Sequence, residues 1–487
     1  MKIFTKSILA LVASVTMVST ALAGGPMTNS NQSAHFLRSI ARGTSLDTDA
    51  VYTNPAGVVF MENGFHIGLS DQMAAQTRTI TSTYAPFAMN GGSPTKQYKG
   101  EVFSPVIPSV HFAWKHNRWA VMAGVGVNGG GGSLEFDEGL ASFERQFSVL
   151  PGAISQLGAQ LGAINPAMAV SANQYDMDME LTGKSMTLAF NVGAAFRITD
   201  WLSIAAQIRL GVTNNSYAGE IEDIRINPTM AAMGLNGQMI PASKFFQDAG
   251  AALGQINPTL AGQAAQYAAL TADHILDVKQ KGTSISPIIA LAFHKGKWDA
   301  SVKYEFKMGT ELEIESAPVS AKDPVINGIF AHGTKVKAET PALLAAAVSR
   351  HFGPVKVTAQ WHHYFDKDAV NSFSPVIEGN TNEYMMGIEW TITDRLLISA
   401  GTQRTQLNMN ENAYSDMNYS ISSWSVGVGM AYRFCDAVRL NVGYMPTIYD
   451  EVTAVGQASG IDFKDLYQRT SHAWGIGLDL KFGGKKN

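Results

Sequence analysis

The residues best equipped for chemistry in this chain are scattered histidines, two arginines and one glycine cluster. His362 and His363 are adjacent in a stretch that alternates like a strand, so their rings point to opposite faces and do not easily share a metal ion. His111, His294 and His351 stand singly, with no carboxylate at a motif spacing. A hydrolase needs a nucleophile oriented by a histidine and an acid, and no local signature supplies one. Gly124-x-Gly126 followed by Gly129–Gly132 looks like a phosphate loop, but no lysine-bearing helix follows at the required spacing. It reads as flexible loop glycine. The single cysteine, Cys435, has no internal partner and reads as an inert turn residue. The expectation is a non-enzyme with no metal and no cofactor.

Arg197 and Arg209 belong to the stretch around which the chain is organised, Met186 to Val212. Met186, Leu188, Phe190, Val192, Ala194, Phe196 and Ile198 alternate with small or polar residues. After Thr199-Asp200 the alternation restarts with Leu202, Ile204, Ala206, Ile208 and Leu210. A period of two places every large apolar side chain on one face. The other face carries the arginines, which suits a hydrated lumen and not a protein core. Such a strand, with lipid on one side, crosses a bilayer in about 9–11 residues. Arg197 and Arg209 are expected to face the lumen, either pairing with acids such as Glu305 or Asp479 or meeting substrate.

The composition agrees. Of 487 residues only 16% are charged, 46 are glycine, and the one continuous apolar run is at the N-terminus. There Lys2 and Lys6 precede Ile8–Val18, and Ala21-Leu22-Ala23 precedes Gly24, which reads as a secretory signal peptide over residues 1–23. Its removal takes the formal charge from −4 to −6, leaving nothing basic enough for nucleic acid.

Residues 24–63 are polar and small, about forty residues with too little apolar content for a core of their own. They read as a plug inside a barrel lumen, with a periplasmic tail as the alternative. Residues 64–487 then carry about fourteen alternating strands, joined by turns of two to four residues on one side and by long loops on the other, including 129–177, 216–278 and 450–467. The fold class is all-β: a transmembrane antiparallel β-barrel. Trp114, Trp119, Trp201 and Trp298 lie beside short turns, as an interfacial girdle would.

Two long loops, about 137–175 and 226–277, carry helical stripes. Leu150, Ile154, Leu157, Leu161 and Ile164 recur at spacings of three and four, and Leu253, Ile256 and Leu260 do the same. They form either a lid packed on itself or a hydrophobic landing groove at the mouth. Pro105 and Pro108 interrupt a strand beside the Gly124/Gly126 strand, and proline cannot donate to a ladder. This is the candidate opening in the wall.

The plug segment resembles the hatch of the FadL/TodX family of outer-membrane transporters of long-chain fatty acids and aromatic hydrocarbons. Ser39-Ile40-Ala41-Arg42-Gly43, the acidic stretch Asp47–Ala50 and Asn54-Pro55-Ala56 before the first strand carry the likeness. The two helical loops extend it over nearly the whole chain. The resemblance implies a monomeric, hatch-plugged barrel in the outer membrane of a Gram-negative-type cell, among phospholipid and lipopolysaccharide. It implies capture of a hydrophobic molecule such as a fatty acid or hydrocarbon at the loops, passage to an internal pocket, and hatch-gated release through the wall. Only Asn54, Pro55 and Ala56 carry over as hatch-motif residues. A porin for small polar solutes is the alternative, and an adhesin or phage-receptor barrel a third.

Overall fold

The computed structural model describes residues 33–254, 257–370, 377–411, 414–416 and 419–483. The expected signal peptide, the first residues of the plug and Ile256 lie outside the described residues, as does the side chain of Ile164.

Fourteen strands form the wall: β1 (Gly64–Tyr84), β2 (Thr95–His116), β3 (Trp119–Phe136), β4 (Tyr175–Arg197), β5 (Leu202–Ile226), β6 (His274–Lys295), β7 (Trp298–Glu305), β8 (Leu343–Phe352), β9 (Val355–Tyr364), β10 (Thr381–Thr391), β11 (Leu396–Gln406), β12 (Ser423–Cys435), β13 (Val438–Tyr449) and β14 (Ile461–Phe482). Each pairs antiparallel with the next, with Glu311–Ser316 prolonging β7 and Val452–Ala458 prolonging β13. β1 pairs with β2 on one side and with β14 on the other, from Phe65 opposite Phe482 to Tyr84 opposite Phe463. The sheet therefore closes, which satisfies every edge without a helix across the bilayer. Among the described residues no helix is long and apolar enough to cross a membrane.

The alternation sets the two faces as the sequence predicts. Phe190, Val192, Ile204, Ile208 and Leu210 are exposed outward, while Asn191, Gln207 and Arg209 are buried inward. Trp114, Trp119, Trp201 and Trp298 all lie outward at the short-turn end. The strands are longer than a bilayer needs: β4 has 23 residues and β5 has 25. Beyond Met186 the outward residues of β4 become Lys184, Thr182, Glu180 and Asp178, so the wall continues past the apolar band. The ends of what reads as loop at 129–177 and 216–278, and nearly all of 450–467, are therefore strand. The last of these is a hairpin turning at Ser459-Gly460, both with positive φ.

Inside the short-turn end sits the chain before β1. α1 (Ala34–Ser39), α2 (Ala50–Thr53) and a 3-10 turn (Pro55–Phe60) are almost wholly buried. At the other end, α3 (Ala141–Ser148) and α4 (Leu150–Ile164) occupy the connection after β3, and α5 (Ala242–Leu253) and α6 (Pro258–Leu270) the one after β5.

Candidate functional site

The plug is held by charge. Arg42, from the Ser39–Gly43 motif, donates to Asp49 at 2.8 and 3.0 Å, to Asp47 at 3.0 Å, to Ser45 at 2.8 Å and to Glu389 of β10 at 2.9 Å. Arg38 donates to the same Glu389 at 2.6 Å and to Asn441 of β13 at 3.2 Å. Arg439 bridges Asp47 at 2.7 Å and Asp479 of β14 at 2.8 Å, and Asp479 also takes His35 at 3.0 Å and the Thr48 hydroxyl. Burial would raise the Asp47 carboxyl, but the guanidiniums of Arg439 and Arg42 hold it well below the usual carboxylate range. Asp49 is held down in the same way, against its burial, chiefly by Arg42. His35, Asp47 and Asp49 converge closely enough for a metal ion, yet arginines already neutralise both acids.

Glycines let this cluster reach the wall. On the inner face Gly387 pairs with Gly401, Gly401 with Gly427, Gly429 with Gly443, and Gly443 with Gly475, a row from β10 to β14 that steps two residues along β12. A Cβ at Gly443 would lie 2.7 Å from the Arg38 backbone nitrogen, and one at Gly387 2.8 Å from the Ser39 carbonyl oxygen. α1 therefore lies flat against bare backbone. Opposite it, the hatch-motif residues rest on small side chains. Ala56 is buried among Ala120, Ala195, Ala205 and Ala292, its carbonyl accepts Ser203 Oγ at 2.6 Å, and Asn54 donates to the Ser45 carbonyl at 3.0 Å. Pro55 opens the 3-10 turn, where its missing N–H costs nothing.

Between plug and wall a small cavity of about 40 Å³ is lined by Phe36, Ile40 and Arg42 of the plug and by Arg209, Lys303, Glu305 and Leu343 on the wall side. Arg209 pairs with Glu305, as does Lys303 at 2.7 Å. Asp479, the other expected partner for an arginine, is taken up by the plug. Arg197 lies half-buried near the short-turn end. A hydrogen-bonded chain then leads from wall to plug: Glu383 accepts from His362 at 3.0 Å, His362 faces Gln360 at 2.5 Å, and the Gln360 carbonyl accepts Gly43 N–H at 2.6 Å. His363 points away and meets Asn382, so the two histidines do separate.

The wall is interrupted between β2 and β3. Their ladder runs from His116 opposite Trp119 to Ser109 opposite Gly126, stops, and resumes only at Val102 opposite Leu134. Pro105 and Pro108 lie within the unpaired stretch of β2, while Gly124 and Gly126 lie in the paired part that ends at it. Gly129–Gly132 are strand residues here, with two bulges against β4, and not loop. Side chains and hydrogen bonds bridge the gap. Ile107 and Val127 fill it from inside with Ala74, Ser104 Oγ donates to the Gly131 carbonyl, and Asp71 accepts Ile107 N–H at 3.0 Å. Outside, Phe103 and Val106 are 64% and 62% exposed.

The mouth is closed by rings. Tyr84, Phe87, Tyr98, Phe136, Tyr419 and Tyr467 form one buried cluster into which α3 inserts Phe143. α3 also brings Arg145 to Asp465 at 2.8 Å and Glu144 to Tyr98 at 2.6 Å and Tyr175 at 2.7 Å. Of the predicted stripe, Leu150 and Ile154 are buried in a second cluster with Phe245, Phe246 and Tyr175. Leu157 is 37% exposed, and Leu161, Leu253 and Leu260 are half-buried.

No protein-family model matches this chain, and no curated protein does. Solved structures do. A FadL homologue of Pseudomonas aeruginosa matches with a TM-score of 0.62 at 13% identity, over 94% of this chain and 99% of that one. The toluene transporter TodX of Pseudomonas putida matches at 0.53 and 14% identity, over 96% of this chain and 100% of that one. The toluene transporter TbuX of Ralstonia pickettii matches at 0.50 and 14%, over 96% and 99%. The fold of those barrels is the fold of this one.

Proposed function

We propose that this chain, built on the FadL/TodX barrel, is an outer-membrane transporter for passive uptake of hydrophobic small molecules. The observation that carries the reading is a lumen occupied by the plug and roofed by an aromatic lid, beside a wall broken between Val102 and Ser109. A porin for polar solutes needs a continuous hydrated path, which the plug obstructs. An apolar solute needs the opposite: a way past the polar outer leaflet and then an exit that never returns it to water. The half-buried stripe of α4, α5 and α6 offers the first contact, the cavity above Ile40 a halfway station, and the β2–β3 break the way out.

Ligand in the cavity touches Phe36 and Ile40 of the plug and the Gln360–Gly43 link. Occupancy is thereby coupled to plug position, and the gap is filled from within by one small apolar cluster, Ile107, Val127 and Ala74. Labelled toluene and oleate uptake by cells lacking their own transporter tests the reading. Saturable uptake of either, with no steady conductance across a planar bilayer, is expected. A large ungated conductance without saturable uptake would replace it with the porin.

A further inference from the structure

We infer that the lipid-facing wall seats one anionic phospholipid of the inner leaflet, with its phosphate among Lys295, Lys297 and Arg350 and an acyl chain in the groove beside them. Such a site depends on the barrel lying in a bilayer and not on what the lumen carries. The three cations meet at the short-turn rim, which is the periplasmic rim of outer-membrane barrels. Lys295 ends β6, Lys297 lies in the turn that follows, and Trp298 of β7 pairs with Lys295 on one side and with Arg350 of β8 on the other. All three cations are exposed. Girdle rings orient two of them: the Lys295 ammonium lies 5.9 Å from the centre of the Trp201 ring, and the Arg350 guanidinium 4.9 Å from those of both Trp298 and Phe352. The acid next in the chain, Asp299, points into the lumen and is taken by His294 at 2.5 Å and His351 at 3.0 Å. Among the described residues none of the three cations is ion-paired.

Two residues further along each strand, about 7 Å from that row, the outer wall drops into an apolar groove of about 480 Å³. Its floor is low because Ala300 of β7, Ala346 of β8 and Ala359 of β9 face outward there. Leu291 and Phe293 bank it on one side and Trp361 on the other. Lipid tails are as apolar as these walls, so the groove alone selects no lipid; it holds one chain in contact. Selection falls to the head group. A phosphate accepts two parallel N–H groups from Arg350 and single ones from the lysines. A lipid of net negative charge balances the cations, whereas a zwitterionic one brings its own ammonium against them. The far edge of the apolar band offers no equal: there Lys281 already pairs with Glu315 at 2.7 Å, and Lys335 with Glu311 at 3.1 Å.

Native mass spectrometry of the full-length barrel in detergent tests the site, with heat-shifted gel mobility confirming that each variant is folded. The probes are palmitoyl-oleoyl phosphatidylglycerol and the matching phosphatidylethanolamine. One phosphatidylglycerol should stay bound under activation that strips phosphatidylethanolamine. The triple variant Lys295→Gln/Lys297→Gln/Arg350→Gln should lower its retention about tenfold. Ala346→Phe fills the groove from the lipid side with every cation in place and should lower retention too, which mere attraction to a charged rim would not show. Lys281→Gln, at the other edge of the band, should leave retention unchanged. Equal retention of the two lipids, or phosphatidylglycerol retention indifferent to either the charge variant or the groove variant, would overturn the site.

Discussion

At the short-turn end of the lumen, Arg38, Arg42 and Arg439 interlock with Asp47, Asp49, Glu389 and Asp479, and α1 lies on bare glycine backbone. At the mouth, Tyr84, Phe87, Tyr98, Phe143 and Tyr467 pack with aliphatic side chains such as Leu140 and Ile421 into one buried cluster, beside the ion pair of Arg145 with Asp465. The difference is in what each closure yields to. Ion pairs in a plug loosen when one partner is removed or titrated, and they are indifferent to an apolar solute. Packed rings are the reverse, because an apolar molecule can replace one ring by another at little cost. On the proposed function, such a barrel would admit cargo by solvation at the top and hold back ions by charge at the bottom.

Breaking the charged end should have the largest effect. Deleting residues 24–63 is expected to convert a non-conducting barrel into one with porin-sized conductance in a planar bilayer. Gly443→Val should come next. Its Cβ meets the Arg38 backbone, which cannot give way as a side-chain tip can, so α1 lifts and openings become frequent. Arg42→Met leaves buried Asp49 without its cation while Asp47 and Glu389 keep Arg439 and Arg38, a loss of about 3–5 kcal/mol in plug seating, read as intermittent openings and faster protease cleavage of the plug.

Acid should act more gently. Because Asp47 and Asp49 titrate below the usual carboxylate value in the seated plug, seating is fully stabilised above about pH 4 and weakens as pH falls below it. Conductance should stay flat from pH 8 to about 5 and rise only in stronger acid. Altering the mouth should barely register in conductance. Leu157→Ser, on an exposed position, should change stability by no more than about 0.5 kcal/mol, while hydrophobic probe binding at the cell surface weakens.

Much of this was legible in the chain. Alternation marked the strands of the apolar band, short turns marked one rim, and Ser39–Gly43 with Asp47–Ala50 marked the segment that lies buried among ion pairs inside the short-turn end. Pro105 and Pro108 pointed at the stretch of β2 that lacks a ladder to β3 while keeping β1, because the missing N–H is a local property. The outer halves of β3 to β6 were not legible, since both their faces turn polar above the lipid and the period-two signal fades. For the same reason Gly129–Gly132 read as loop, although they are the β3 side of the break. The glycine row from Gly387 to Gly475 carried a readable signal, glycine at alternate inward positions of neighbouring strands. Its meaning depends on α1, far away in sequence. Leu150 and Ile154 showed the opposite weakness: spacing revealed a stripe but not that Phe245 and Phe246 would bury it.

The proposed side exit can be stapled shut. A Cβ at Gly132 would lie 3.7 Å from the Ser104 Cβ, within the span of a disulfide, with a methyl of Val102 as the one obstruction. The measurement is labelled-probe uptake by the Ser104→Cys/Gly132→Cys barrel, with Val102→Ala clearing the space and Cys435→Ser removing the native thiol, before and after oxidation. Uptake that falls to background on oxidation and returns with reductant, the barrel remaining folded throughout, is the predicted result. Uptake unchanged by the bridge would place the route elsewhere and contradict the account.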